Sequence, residues 1–150
     1  MTLKRGSSVL AAIAALVLWC DGANVLAQER PSGAELPKPA QIPGVEPDVL
    51  LRAGVPNVPD KALIVSRTTY KPGVHVAWHR HNSQIVFYVL QGSMGVQDKD
   101  KTSFMLKAGD SLLIKTGTVH QHWNASTTEP LVFLEYVLVN KGQPSAVFIK

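Results

Sequence analysis

The chain has 150 residues, of which 45% are hydrophobic and 17% charged, and its formal net charge is +4 at pH 7. This length supports one domain with a hydrophobic core and leaves little room for a second. The composition excludes a disordered or fibrous chain. Because the lysines and arginines are spread singly and no aromatic-basic cluster occurs, we expect no nucleic-acid partner.

The N-terminal segment has the residue order of a secretory signal. Lys4 and Arg5 precede an apolar run from Val9 to Trp19, and small residues follow up to Ala27. The run is too short to span a bilayer, which takes about 20 apolar residues. We therefore expect residues 1–27 to be removed, leaving a periplasmic or secreted protein with no membrane attachment. A retained N-terminal anchor is the alternative.

The only cysteine, Cys20, lies inside this N-terminal segment. The bulky Trp19 before it argues against cleavage and lipidation at that cysteine. The mature chain would then contain no cysteine, which excludes both a disulfide and a thiolate metal site.

Prolines mark the next segment, since seven of the ten lie between Pro31 and Pro59. This density predicts an extended lead-in over residues 28–60, with a short first strand at Val49–Val55. Residues 61–140 differ in composition and form the predicted barrel, and residues 141–150 form a C-terminal tail.

From Lys61 onward, short stretches rich in β-branched and aromatic residues alternate with glycine or polar turns, and no segment keeps a helical period. The predicted strands are Ala62–Tyr70, Val74–His81, Ile85–Leu90, Met94–Gln97, Ser103–Leu106, Ser111–Ile114, His120–Asn124 and Leu131–Val139. Eight or nine short strands at this spacing predict a single all-β domain, either a sandwich or a barrel. The Ile85–Leu90 strand is apolar on both faces, which favours a central strand covered on both sides over a homodimer seam.

All five histidines fall between His75 and His122. His79 and His81 stand two residues apart on a predicted strand, so they share one face and lie roughly 7 Å apart along it. His120 and His122 repeat this arrangement, and His75 has the parity of His79. If these faces point inward, all five imidazoles face the barrel interior, where neutral imidazole suits zinc, copper, iron or nickel.

The spacing of glycines and histidines resembles the two motifs of the cupin family. In the first motif, Gly73 and five further residues precede His79-Arg80-His81, and the motif closes at Gly92. In the second, Gly109-Asp110 is followed by Gly117-Thr118-Val119-His120 and then by Asn124. The resemblance covers about residues 61–139. It implies a single-domain double-stranded β-helix, that is, a jelly-roll barrel.

The resemblance also implies a metal site. In that family the two histidines of the first motif, its glutamate and the histidine of the second motif bind the ion. Carried over, the implied ligands here are His79, His81 and His120, holding a divalent ion of iron, manganese, zinc, copper or nickel. The glutamate is missing, because Ile85 occupies its place, and Lys115 replaces the usual proline of the second motif.

Because the glutamate is missing, several ligand sets for the metal are open. A site of three histidines would leave positions open for water, oxygen or an anionic substrate. Alternatively, His122 supplies a fourth nitrogen, or Glu135 reaches inward from the last long strand. Gln84 would reach the ion only if a bulge re-aimed it. His75 is either a pocket-lining residue or a solvated strand end, and a site that has lost its metal is the remaining alternative.

Two functions are consistent with these residues. One is a metal-dependent enzyme, an oxygenase or isomerase acting on a small oxygenated molecule. The other is a non-catalytic periplasmic module that holds a metal or a small ligand. The expected partner in both cases is a small molecule, since fold alone does not choose between them.

Overall fold

The computed structural model describes residues 41–149. The predicted signal segment, Cys20 and residues 28–40 of the lead-in lie outside the described residues. The described part of the chain forms ten strands and no helix, which confirms the all-β prediction. Within this part there is accordingly no helix long and apolar enough to cross a membrane.

Ten strands follow one another along the described residues. They are β1 Val45–Val55, β2 Val58–Tyr70, β3 His75–His81, β4 Ile85–Gln91, β5 Ser93–Asp98, β6 Phe104–Lys107, β7 Ser111–Ile114, β8 His120–Asn124, β9 Leu131–Asn140 and β10 Ala146–Phe148. The turns between them are short, as in most antiparallel β domains.

The strands form two five-stranded antiparallel sheets. The first sheet has the order β1-β2-β9-β4-β7 and the second the order β10-β3-β8-β5-β6. From β3 to β5 and again from β7 to β9, the chain changes sheet at each step. This is the double-stranded β-helix, or jelly roll, that the resemblance implied.

The core lies between the two sheets. Strand residues alternate between faces, so the inner face collects a continuous set of apolar side chains that are at most 5% exposed: Val76, Ile85, Phe87, Val89, Met94, Val96, Leu131, Phe133 and Val137. Burial of this apolar surface is the main stabilising term for a domain of this size. The site described below is set into the second-sheet side of this core.

The prediction that β4 is covered on both sides is wrong. Its inner residues are buried, but on its outer face Tyr88 and Leu90 are 40% and 43% exposed. Neighbouring strands present further exposed apolar side chains on the same face, namely Leu113, Tyr136 and Leu138. We call these five residues the outer apolar face. The reason is architectural: in a two-layer fold each sheet packs on one side only.

Two regions outside residues 61–140 add strands to the sheets. β1 and the start of β2 lie within residues 28–60, and β1 pairs with β2 along nearly its whole length. β10 lies within residues 141–150 and pairs with β3. Proline is tolerated in β1 because β1 is an edge strand, in which every second amide points away from the single neighbouring strand. Pro47 lies in this strand.

Candidate metal centre

Four histidines meet on the inner face of the second sheet, where β3 and β8 are neighbours. His79 and His81 come from β3, and His120 and His122 from β8. His79 and His120 are paired directly across the two strands. All four side chains are at most 4% exposed.

His75 does not join this cluster: four imidazoles face inward, and of the two alternatives for His75 the structure has the solvated strand end. The register of β3 against β8 shifts between Val76 and His79, so Val76 pairs with His122 while His79 pairs with His120. This bulge reverses the parity of the strand. His75 is therefore exposed, and its ring lies 5.6 Å from that of Trp123.

His79 is the central member of the cluster. Its ring centroid lies 4.4 Å from that of His120, 4.8 Å from that of His81 and 5.1 Å from that of His122. Ring nitrogens of His79, His120 and His122 all lie within 4.8 Å of one another. His81 joins through its Nε2, which lies 3.1 Å from the Nε2 of His79. Three buried histidines could thus hold a metal ion, and a fourth adjoins them.

Backbone carbonyls fix the tautomer of three of these rings. Each Nδ1 lies within hydrogen-bond distance of a carbonyl oxygen, which can only accept, so each Nδ1 must carry the proton. The pairs are His79 with Ala77 at 2.8 Å, His81 with Ser145 at 3.0 Å, and His120 with Thr118 at 3.1 Å. In the neutral ring the Nε2 then holds a lone pair, as a metal ligand requires.

The Nε2 atoms lack suitable protein partners. The Nε2 of His120 is buried with no hydrogen-bond partner. The facing lone pairs of His79 and His81 would repel each other at 3.1 Å unless a cation or proton lay between them. Metal–nitrogen bonds of about 2.0–2.1 Å place two ligand nitrogens roughly 3.0–3.4 Å apart in common geometries. The donor set therefore fits a divalent transition metal.

Burial also keeps the rings neutral. Desolvation lowers the pKa of His79 to about 4 and that of His81 to about 3. It also lowers the pKa of His120, and it brings the pKa of His122 well below its usual value. Neutral imidazole is the ligand form, so no proton has to be removed from these rings near neutral pH before a metal binds.

His122 differs from the other three because its Nδ1 faces a hydroxyl, the Oη of Tyr70, at 3.1 Å. Burial raises the pKa of Tyr70 well above its usual value, so this hydroxyl keeps its proton and can either donate or accept. Only when Nδ1–H of His122 donates to Tyr70 does Nε2 carry a lone pair for an ion. Tyr70 carries no sequence signal for this role, because it is 52 residues from His122.

The remaining predicted residues are divided between interior and surface. Glu135 points inward from β9 and lines the same cavity as His79, His81 and His122. Gln84 is exposed just before β4, so no bulge directs it to the site. Ile85, at the position of the missing glutamate, is fully buried in the core.

The cavity beside the histidines has a volume of about 90 Å³. Its walls come from both sheets and from the segment around β10, with Phe148 lying 5.5 Å from the ring of His79. The second-sheet wall carries the histidines and the first-sheet wall carries Thr68 and Glu135. A small molecule in this space would be in contact with both.

Motif residues outside the cluster hold the strands in place. Gly117 has a φ of 82°, a left-handed conformation that favours glycine, and its amide donates to the carbonyl of His81 at 2.9 Å. The side-chain amide of Asn124 donates to the carbonyl of Glu129 at 2.8 Å and approaches those of Tyr70 and Lys71. Asn124 therefore has a structural role.

The cupin domain family model matches residues 66–139. Among curated proteins, the uncharacterized protein YdbB of Bacillus subtilis (strain 168) is 51% identical over 45 residues, which cover 29% of this chain and 40% of that protein. The match thus spans less than half of that relative.

Solved structures share the fold over most of the chain. An uncharacterized conserved protein with a double-stranded β-helix domain from Klebsiella pneumoniae has 24% identity and a TM-score of 0.54, covering 73% of this chain and 88% of that one. A cupin-like protein from Thermotoga maritima has 25% identity and a TM-score of 0.55, covering 70% of this chain and 75% of that one. Together with the family-model match and the two-sheet jelly roll, these similarities show that the chain belongs to the cupin superfamily.

Proposed function

We propose that this chain is an enzyme that binds one divalent transition metal through its histidine cluster and acts on a small molecule held in the adjoining cavity. The observation that carries the proposal is the buried, unpaired Nε2 of His120 among three other buried imidazoles. An unsatisfied buried nitrogen costs free energy, and an ion bound there would remove that cost.

The protein supplies neutral nitrogens and no carboxylate ligand at the position of Ile85. A bound ion would keep most of its positive charge and would act as a Lewis acid or oxygen binder. His79, His81 and His122 border the cavity, so a ligand could approach that side of the cluster. These features favour an oxygenase or isomerase acting on a small oxygenated molecule.

The second candidate is a non-catalytic module that stores or carries a metal or small ligand. His122 supports it, because a fourth nitrogen would complete a tetrahedral shell and leave no position for substrate. The hydrogen bond between His122 and Tyr70 would then hold the ring in its ligand tautomer. For either function we propose an extracytoplasmic location, on the strength of residues 1–27 alone.

Metal content and ligand access together test these functions. We expect near one equivalent of iron, manganese, copper or nickel in the purified chain, and a spectral change on adding azide, which binds an open metal position. Stoichiometric zinc, together with no spectral response to azide after cobalt substitution, would instead favour the binding module. A chain that takes up no metal after incubation with each ion would contradict both.

Alanine variants of the histidines identify the ligands. His79→Ala should cause the largest loss of metal affinity, because His79 contacts the other three rings. His81→Ala and His120→Ala should also lose metal while remaining folded. His122→Ala tests whether His122 binds the metal directly: a changed metal spectrum would make it a fourth ligand, and an unchanged spectrum would make it only a neighbour of the ligands. His75→Ala is the matched control, since that ring is exposed and outside the cluster. Full metal retention by His79→Ala, His81→Ala and His120→Ala would overturn the assignment of the ligands.

A further inference from the structure

The cavity has a polar patch on the wall opposite the histidines. Thr68 lies on β2 and Glu135 on β9, which are neighbours in the first sheet. Glu135 pairs with Ser66, so Thr68 is its diagonal neighbour across the strands. Such diagonal neighbours lie about 7–8 Å apart. The two side chains border the same cavity as His79 and His81.

Thr68 has a hydroxyl that the described residues leave unsatisfied. Its side chain is only 3% exposed, and its Oγ1 has no hydrogen-bond partner. Apart from His120 Nε2, it is the sole buried side-chain nitrogen or oxygen without a partner among residues 41–149. A buried hydroxyl without a partner is unfavourable unless a ligand or water pairs with it.

Glu135 is a half-buried acid without a salt-bridge partner among the described residues. The salt bridges of the described residues do not include it, and burial raises its pKa to about 7. It borders both the cavity at the histidines and a second cavity of about 60 Å³. Its carboxyl group is therefore free to bind a hydrogen-bond donor that enters the site.

We infer that Thr68 and Glu135 form a ligand-binding subsite for a hydroxyl group on a small molecule whose opposite end, a carboxylate or second hydroxyl, binds the metal. The inference rests on the proposed function, since the metal positions one end of the ligand. Thr68 then contacts the ligand directly, because it lines the cavity. His120 does not line the cavity, so its Nε2 would meet the ligand only through the bound metal. Phe87 and Phe133 supply apolar surface to the cavity wall.

The cavity volume limits the size of this ligand. A water molecule takes up about 30 Å³ in the liquid, so the 90 Å³ cavity holds roughly three waters. A hydroxy acid of two or three carbons occupies about that space. The substrate class that fits is therefore a small hydroxylated acid or polyol rather than an aromatic compound or a sugar chain.

Matched ligand pairs test the subsite in the cobalt-loaded full chain. The probes are glycolate, 3-hydroxypropionate and 4-hydroxybutyrate, each compared with propionate, butyrate or pentanoate, in which a methyl group replaces the terminal hydroxyl. Calorimetry and the cobalt spectrum give the dissociation constants. We expect at least one hydroxy acid to bind about tenfold more tightly than its partner, as a hydrogen bond to a charged or buried group allows.

Variants assign that preference to the two residues. Thr68→Val and Glu135→Leu should each bring the ratio of dissociation constants close to one, while the cobalt content stays at one equivalent. Glu135→Gln keeps an oxygen acceptor and should retain part of the preference. Thr69→Val is the matched control, because Thr69 is on the outward-facing side of β2, and it should leave the ratio unchanged.

The outcomes separate the subsite from the proposed function. Equal binding of every pair to a protein that holds cobalt overturns the subsite and leaves the metal site intact. Loss of cobalt from folded Glu135→Leu, checked by its circular dichroism, makes Glu135 a metal ligand and also overturns the subsite. Absence of bound cobalt in the unmodified chain overturns the proposed function and this inference with it.

Discussion

At the scale of single residues, the histidine cluster combines burial with neutral rings. Folding therefore places four groups that are usually close to half-protonated near pH 6.5 in surroundings that disfavour their charged form. His120 shows the balance, since burial lowers its pKa while a hydrogen bond to Thr118 and the charge of Asp98 raise it. The cluster is thus arranged to keep lone pairs available rather than to hold charge.

This arrangement predicts that the metal-free protein loses stability in mild acid. The pKa of such a histidine is about 4 in the folded protein and about 6.5 in the unfolded chain. Between these two pH values the histidine is neutral when the protein is folded and protonated when it is unfolded. Stability therefore falls as the pH drops below 6.5, by about 1.4 kcal/mol per pH unit for each such histidine. Denaturant unfolding at pH 7, 6 and 5 measures this slope.

Glu135 acts in the opposite sense. Its pKa rises from 4.5 to about 7 on folding, so its contribution decreases stability as the pH rises between these values. The four histidines outnumber it, and the net slope between pH 5 and 6.5 should remain positive. His122→Leu removes one of these histidines, so the slope of the unfolding free energy against pH should fall by about 1.4 kcal/mol per pH unit. A stability that does not change across this range would contradict the neutral, buried state of the cluster.

At the scale of strands, the parity of β3 decides which histidines enter the site. The inward direction of His79 and His81 follows from the alternation of strand residues. Glu135, one of the predicted alternatives for completing the site, alternates with buried Phe133 and Val137. The bulge between Val76 and His79 carries no sequence signal, so the sequence left both the inward and the outward position of His75 open. The strands from Ala62 to Val139 were predictable because turn glycines separate β-branched runs.

The missed elements have identifiable causes. Prolines concealed the N-terminal parts of β1 and β2, which were predicted only as Val49–Val55 and Ala62–Tyr70, and β10 is too short to show a pattern. Thr68 and Tyr70 were also missed as site residues. Their roles depend on β2 lying opposite β8 across the barrel, and a single sequence does not reveal which inward residues meet.

Packing on the outside of the second sheet gives a prediction for Gly95. This residue pairs with Trp123, and a Cβ at position 95 would overlap the indole ring of Trp123. Gly95→Ala should lower the free energy of unfolding by about 1–3 kcal/mol, the usual cost of overpacking. Denaturant unfolding measures the loss. Combining the change with Trp123→Leu should recover part of it, and an unchanged single variant would contradict the close approach.

At the scale of the whole molecule, the outer apolar face is the feature that the isolated barrel leaves unexplained. Tyr88, Leu90, Leu113, Tyr136 and Leu138 are each at least 38% exposed and lie on three adjacent strands, β9, β4 and β7. Contiguous exposed apolar surface in a folded domain marks a contact site. A second copy of the chain fits such a face, since a flat patch can pair with itself about a twofold axis.

We therefore expect a homodimer whose seam is the first sheet, the alternative that the sequence left for β4. A lysine in place of Leu113 or Tyr136 would bring two like charges together across the seam, because each copy supplies the same residue, and should shift the protein to a monomer in sedimentation velocity. Met105→Lys is the matched control: Met105 is 45% exposed but lies on β6 in the second sheet, so that variant should stay dimeric. The metal content should be the same in all of these variants, because every histidine of the cluster lies on the second sheet. A monomeric unmodified chain would contradict the seam.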